Sequence, residues 1–296
     1  MIDTKCLTPM MQQYMETKKQ YSDCILFYRL GDFYEMFFDD AITASKELEI
    51  TLTGKNCGLE ERAPMCGVPY HSVDSYLNRL VEKGYKVAIC EQVEDPQQAK
   101  GIVKREVVRV VTAGTNMNAQ ALDETKNNYI MCIVYIADRY GLAVADVSTG
   151  DYFVTELDSG RKLLDEIHKF SPSEIICNES FYMSGLDLDD LRHRLGMMIY
   201  SIDTHFFDDE MCARILKEHF HAASLEGMGL GDYNCGVIAA GALLKYLYET
   251  QKTSLLISHI LQDMRQGDIC YWTALPEETW NCVRTLRENK KRLSLW

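Results

Sequence analysis

The chain has 296 residues, enough for about two domains. Hydrophobic residues at 47% and charged residues at 25% exclude general disorder, while only 6 prolines and 18 glycines exclude collagen-like or linker-dominated architecture. The net charge of −13 excludes binding to nucleic acid through a broad basic footprint. Thr8-Pro9 predicts a helix start, with Met11, Tyr14, Met15 and Tyr21 at near-helical spacing. Residues 24–30, CILFYRL, read as a strand, and Gly31-Asp32 ends it. After the block FYEMFF (33–38), Asp39-Asp40 start a helix running to about Leu48. Residues 54–69 are rich in Gly, Pro and charge and read as a loop. Ser72 caps a helix carrying Tyr76, Leu77, Leu80 and Val81, which Gly84 stops. YKVAIC (85–90) is a strand, Asp95-Pro96 starts a short helix, and REVVRVVT (105–112) is a β-branched strand.

The polar run up to Asn128 reads as a linker. Three strands on short turns follow, at 129–137, 141–147 and 150–156. Next come an amphipathic helix at 161–170, strands at 174–178 and 197–203, and helices at about 207–222 and 232–250. A meander followed by alternating helices and strands describes a ribonuclease-H-like α/β layer. Residues 276–296 are helical in composition. The fold class is therefore α/β: a mixed α/β domain at 1–115, a linker at 116–128, a ribonuclease-H-like domain at 129–250, and the start of a helical domain at 251–296.

No apolar run approaches the ~18–20 residues that span a bilayer, and the N-terminus has no apolar signal segment. The 11 cysteines are scattered among apolar neighbours with no Cys-x-x-Cys pair, which suits buried thiols in a reducing cytoplasm. Charge is uneven: residues 1–115 carry 14 basic and 17 acidic side chains, and the remainder 17 and 27. The nearly neutral first part and the acidic remainder suit different tasks.

The block Gly31-Asp32-Phe33-Tyr34-Glu35-Met36-Phe37 concentrates aromatics between carboxylates. Two readings fit it. In one, Phe33, Tyr34 and Phe37 are core aromatics and Glu35 is solvated. In the other, an aromatic projects and wedges between base steps. Glu35, which cannot favour phosphate, then accepts a hydrogen bond from a base. A reading of another class makes the second domain a metal-dependent nuclease or nucleotide hydrolase. Asp146 would hold Mg²⁺ near a strand end, with Asp151 and Asp232 as further candidates; alternatively Asp146 closes a turn. No Gly-x-x-x-x-Gly-Lys-[Ser/Thr] phosphate loop occurs.

Several blocks in order resemble the MutS family of DNA mismatch-recognition proteins. They are TPMMQQY (8–14), GDFYEMF (31–37), APMCGVPYHSVDSYL (63–77), VAICEQVEDP (87–96) and AKGIVKREVVRVVTAGT (99–115). The resemblance implies that 1–115 reads mismatched duplex DNA and that 129–250 is the family's connector. Phe33 matches the phenylalanine of the family's Phe-x-Glu motif, which stacks on the mispaired base from the minor groove. Glu35 matches the glutamate that hydrogen-bonds that base. Met65 is placed beside the wedge. Lys55 and Arg62 suit phosphates or solvent, and Tyr70 and His71 suit backbone contact, with packing or capping equally open for His71. Thr112-Ala113-Gly114-Thr115 departs from the family's usual Pro before Gly.

Family members are longer and carry a C-terminal ATPase, lever and clamp. The resemblance thus implies an N-terminal fragment with no catalytic activity and no cofactor or metal of its own, ATP and Mg²⁺ belonging to the rest. It also implies a homodimer in the whole protein, MutL as a partner through the connector, and a cytoplasmic location without membrane contact. TWNCVRT (279–285) departs from the family where LRENKKRLSLW returns to it, so a shifted reading frame or an incomplete gene is expected there.

Overall fold

The computed structural model describes residues 6–94, 101–117, 127–252, 261–264, 270–271 and 283–284. Contacts along the chain divide it into two units, Met1–Ala121 with Thr250–Ser254, and Leu122–Glu249 with Leu255–Trp296.

In the first unit, helix α1 (Pro9–Gln20) begins at N-cap Thr8 with proline at its first turn. Strands β1 (Cys24–Leu30) and β2 (Phe33–Phe37) form a hairpin, and helix α2 (Phe38–Leu48) follows directly. Strands β3 (Thr53–Lys55) and β4 (Ala63–Pro69), helix α3 (Val73–Glu82), β5 (Lys86–Gln92) and β6 (Arg105–Val111) complete it. The six strands lie in the order β3-β4-β2-β1-β5-β6. Only β1 and β5 are parallel; the other pairs are antiparallel.

Alternation along each strand supplies two cores. Ile25, Phe27, Tyr34, Met36, Val87 and Ile89 pack against Ala41, Ala44 and Leu48 of α2 and Leu77, Leu80 and Val81 of α3. On the opposite face, Cys24, Leu26, Tyr28, Phe37 and Ala88 pack against Met11 and Tyr14 of α1. Buried Asp40 ties the helices to the sheet: its carboxylate accepts from the Leu26 amide (3.0 Å), the Tyr14 hydroxyl (3.3 Å) and the Lys18 ammonium (2.9 Å).

The second unit is a ribonuclease-H-like sheet in the order β11 (Met198–Ser201), β10 (Glu174–Cys177), β7 (Tyr129–Ile136), β8 (Arg139–Asp146), β9 (Tyr152–Leu157) and β12 (Gln262–Asp263). Strands β7, β8 and β9 form the antiparallel meander. Strand β10 pairs parallel with β7, and β11 parallel with β10. One face packs on helices α4 (Gly160–Phe170) and α5 (Leu188–His193) through Leu163, Ile167, Leu188 and Leu191. Helices α6 (Asp209–His219) and α7 (Cys235–Gln251) follow. Tyr152 donates to the Ala240 carbonyl at 2.6 Å, seating α7 on the sheet. Gly141 permits that approach, because a Cβ there would stand 1.9 Å from the Cys235 carbonyl oxygen.

The structure corrects three readings. Residues 54–69 are not one loop: β4 runs through Ala63–Pro69 with Ala63, Cys66 and Val68 buried. Pro64, Gly67 and Pro69 hid an alternating pattern whose apolar residues are small. Helix α5, unlisted by apolar periodicity because it is only six residues long, is started by Asp187 accepting from the Asp190 amide at 3.2 Å. Strand β12 (Gln262–Asp263) pairs parallel with β9, so this sheet extends beyond residue 250. The short helix at Asp95-Pro96 and most of the linker lie outside the described residues. So does the helical stretch at 276–296, except that Val283–Arg284 pair as a strand with Cys270–Tyr271, where Val283 brings β preference to a helix-forming composition. Of the described thiols Cys6 is exposed, and Cys24, Cys57, Cys66, Cys90, Cys132, Cys177, Cys212 and Cys235 are buried.

Candidate nucleic-acid interface

The hairpin joining β1 to β2 turns in two residues, since Leu30 pairs directly with Phe33. Gly31 takes φ +59° and Asp32 does not take a positive value, so the left-handed position falls on the first turn residue, as in a type II′ hairpin. This turn sets which side chains project. Period-two alternation sends Tyr34 and Met36 into the α2–α3 core and Phe33, Glu35 and Phe37 to the face of α1. Helix α1 covers only part of that face. Its Tyr14 ring packs on Phe37 with centroids 5.0 Å apart, and Phe37 is buried. Phe33, four residues earlier on the same face, is 47% exposed. Tyr34 and Phe37 are core aromatics, whereas Phe33, expected in the core by one reading of the block, is exposed.

Register places the neighbours. Phe33 pairs with Pro69, Glu35 with Gly67, and Phe37 with Met65. Met65 shares the Phe33 face but sits at the Phe37 end, half-buried against the α1 core. Lys55, at the end of β3, pairs with Ala63 and therefore also belongs to this face. Its ammonium forms an ion pair with Glu35 Oε2 and lies 5.5 Å from the Phe37 ring centroid. Glu35, Lys55 and Gly67 thus converge, with Phe33 two residues along β2 on the same face. Gly67 had no part in the expected site; the signal available was a glycine inside an otherwise apolar alternation.

Other expected residues stand elsewhere. Arg62 is exposed, and its side chain lies beside Gly54, which pairs with Pro64 on the opposite face. Tyr70, in the short 3-10 turn Tyr70–Ser72 after β4, is 45% exposed. Its amide donates to the Asp32 carbonyl at 2.9 Å, and its ring lies under the Arg29 guanidinium at 3.9 Å. Arg29 also approaches Tyr34 (5.5 Å to the ring) and Glu91 (3.8 Å), so it belongs to the Tyr34 face. The stack pins the 3-10 turn to the hairpin tip. Burial and the Glu91 carboxylate, whose charge the phenol hydrogen-bonds, push the Tyr34 hydroxyl well above its usual titration range. His71 is exposed, edge-on to Tyr70 at 6.2 Å. At the domain end, the missing Pro is met by side-chain closure: Thr115 Oγ1 accepts from the Thr112 amide at 3.0 Å and stands 2.8 Å from Thr112 Oγ1.

In the second unit Asp146 is fully buried. Oδ1 accepts from the Ser148 amide (2.8 Å), the Ser148 hydroxyl (2.5 Å) and the Thr149 amide (3.3 Å), and Oδ2 accepts from the Asn128 amide (3.2 Å). The carboxylate is spent closing the β8–β9 turn. Asp151 accepts from the Thr149 hydroxyl at 2.8 Å, and Asp232 is exposed before α7. Among the described residues no group of three or more His, Cys, Asp or Glu could hold a metal ion. The nuclease reading is not favoured.

Comparison with known proteins finds a match along each of the two units. Residues 8–120 match MutS domain I, and residues 128–260 match MutS domain II. The DNA mismatch repair protein MutS of Lachnoclostridium phytofermentans is 58% identical over 98% of this chain and 31% of its own length. That of Acetivibrio thermocellus is 54% identical over 98% of this chain and 33% of its own length. That of Clostridioides difficile is 45% identical over 99% of this chain and 30% of its own length. The chain spans about a third of the length of the curated relatives it matches. With two successive domains matched in order and each folded as its own sheet, the chain belongs to the MutS family.

Proposed function

We propose that this chain reads mispaired or unpaired bases in duplex DNA, Phe33 wedging from the minor groove beside the mispair and Glu35 accepting a hydrogen bond from the displaced base. The carrying observation is the exposed Phe33 ring beside half-buried Glu35 on a sheet face that α1 leaves open. Unstacking a base step costs a few kcal/mol, and less where pairing is already defective. A wedge therefore selects deformability rather than sequence. The modest charge of the first 115 residues, 14 basic against 17 acidic, suits this mechanism, because strong phosphate attraction would hold perfect duplex as well. Tyr70 and His71 are exposed and serve as backbone contacts around the wedge, while Met65 backs the face from within and Arg62 stands on the opposite face.

The connector would relay this event within a full-length protein. The chain itself carries no catalysis; ATP and Mg²⁺ chemistry, homodimer formation and MutL signalling belong to the whole MutS protein, the last through the connector. We place it in the cytoplasm with the DNA it reads. No helix among the described residues is long and apolar enough to cross a membrane. Fluorescence anisotropy with duplexes holding one G·T pair, one unpaired T or no defect tests the reading. Binding weaker than about 1 µM is expected, with the defect preferred. Equal binding of all three duplexes contradicts it.

A further inference from the structure

We propose that Lys55 is the positioning residue of Glu35, its ammonium acting as the counter-charge that lets a carboxylate stand at a DNA-reading surface rather than as a phosphate contact. This rests on the reading of Phe33 and Glu35 above. An unpaired carboxylate facing phosphodiesters repels them; one bonded to an ammonium presents no net charge. Three features of the fold build the pair. Glu35 on β2 and Lys55 on β3 share a face across β4, where the residue opposite Glu35 is Gly67. A Cβ at Gly67 would crowd the Tyr34 carbonyl oxygen at 3.3 Å and touch Glu35 Cγ at 3.5 Å, so glycine leaves the Glu35 stem uncovered on this side. The Lys55 ammonium lies 5.5 Å from the buried Phe37 ring, which supports it from within the sheet.

The pair is screened, with 17% of the Glu35 side chain and 32% of the Lys55 side chain exposed. Lys55 donates to Oε2, which leaves Oε1 as the oxygen facing a base donor. Lysine at 55 thus sets both the net charge of the pair and the aim of the group that reads the base.

A double-mutant cycle on the full chain tests this. Lys55→Met keeps the stem and removes the charge; it is expected to weaken binding to G·T duplex about fivefold with Glu35 present. In a Glu35→Gln background the same change is expected to alter binding less than about twofold, since no unpaired carboxylate remains. Lys55→Arg should restore binding. A phosphate contact would instead give the same loss in both backgrounds and lower the slope of log affinity against log salt by about 1, which would overturn the proposal. A DNA-free readout is independent: the acetylation rate of Lys55, followed by peptide mass spectrometry, should rise severalfold in Glu35→Gln, and an unchanged rate would overturn the pair. If Phe33→Ala left mismatch preference intact, the DNA reading of the site would fail, while the acetylation rates would still decide whether the pair exists.

Discussion

Phe33 and Met36 lie three residues apart on β2, and their surroundings separate function from stability. Met36 is fully buried in the α2–α3 core, so Met36→Ala should cost about 2–5 kcal/mol in denaturant unfolding. Phe33 is 47% exposed, and Phe33→Ala should change stability by no more than about 0.5 kcal/mol. The same change should lower affinity for mismatched duplex by about 1–3 kcal/mol, the usual worth of one base–aromatic stack. A large loss of stability in Phe33→Ala would show that the ring is structural. Asp146 gives the converse contrast. Its Oδ1 serves three donors and its Oδ2 one, so Asp146→Ala should destabilise by about 2–3 kcal/mol while leaving no Mg²⁺-dependent cleavage to lose. Nuclease activity in the wild-type chain that disappears in this variant would revive the metal reading.

Among the elements, the β1–β2 hairpin sets the aim of Phe33 and Glu35 together. Gly31 takes φ +59° with open space where a Cβ would stand, so Gly31→Ala should cost about 1–2 kcal/mol by backbone strain alone. A neutral Gly31→Ala in a thermal melt would mean that the turn can adopt another type. Much of this was legible in the sequence. Gly31-Asp32 after an apolar strand announced the turn though not the strand β2 that follows it, Thr8-Pro9 announced α1, and three strands on short turns announced the second sheet. Phe33 and Glu35 came from the family resemblance, since alternation in FYEMF could not say that α1 stops short of covering one end of the sheet. Strand β4 was missed because its pattern is carried by Ala63, Cys66 and Val68 between prolines. The Lys55–Glu35 pair was missed because it joins strands separated by a third, a relation that spacing along the chain does not carry.

Across the molecule, buried thiols couple stability to pH. Burial pushes Cys24, Cys66, Cys90, Cys177 and Cys212 up to about 12. A thiol raised on folding stays protonated in the native state while the unfolded chain ionises. Its contribution to stability is therefore full below the unfolded value near 8.5 and is lost as pH rises from there toward about 12. The denaturation midpoint should fall between about pH 8.5 and pH 10.5, and a flat midpoint would contradict burial of these groups. Alkylation of the folded chain at pH 8 should reach exposed Cys6 well before Cys24, Cys66 or Cys90.

The wedge remains the claim on which the functional account turns. The most direct test places 2-aminopurine beside an unpaired T and records its emission at saturating protein, for the wild-type chain and for Phe33→Ala. A Phe33 wedge gives a rise with the wild-type chain, from unstacking of the neighbouring base, and no rise with Phe33→Ala at equal occupancy. An equal rise with both proteins, or none with the wild-type chain at full occupancy, would contradict it.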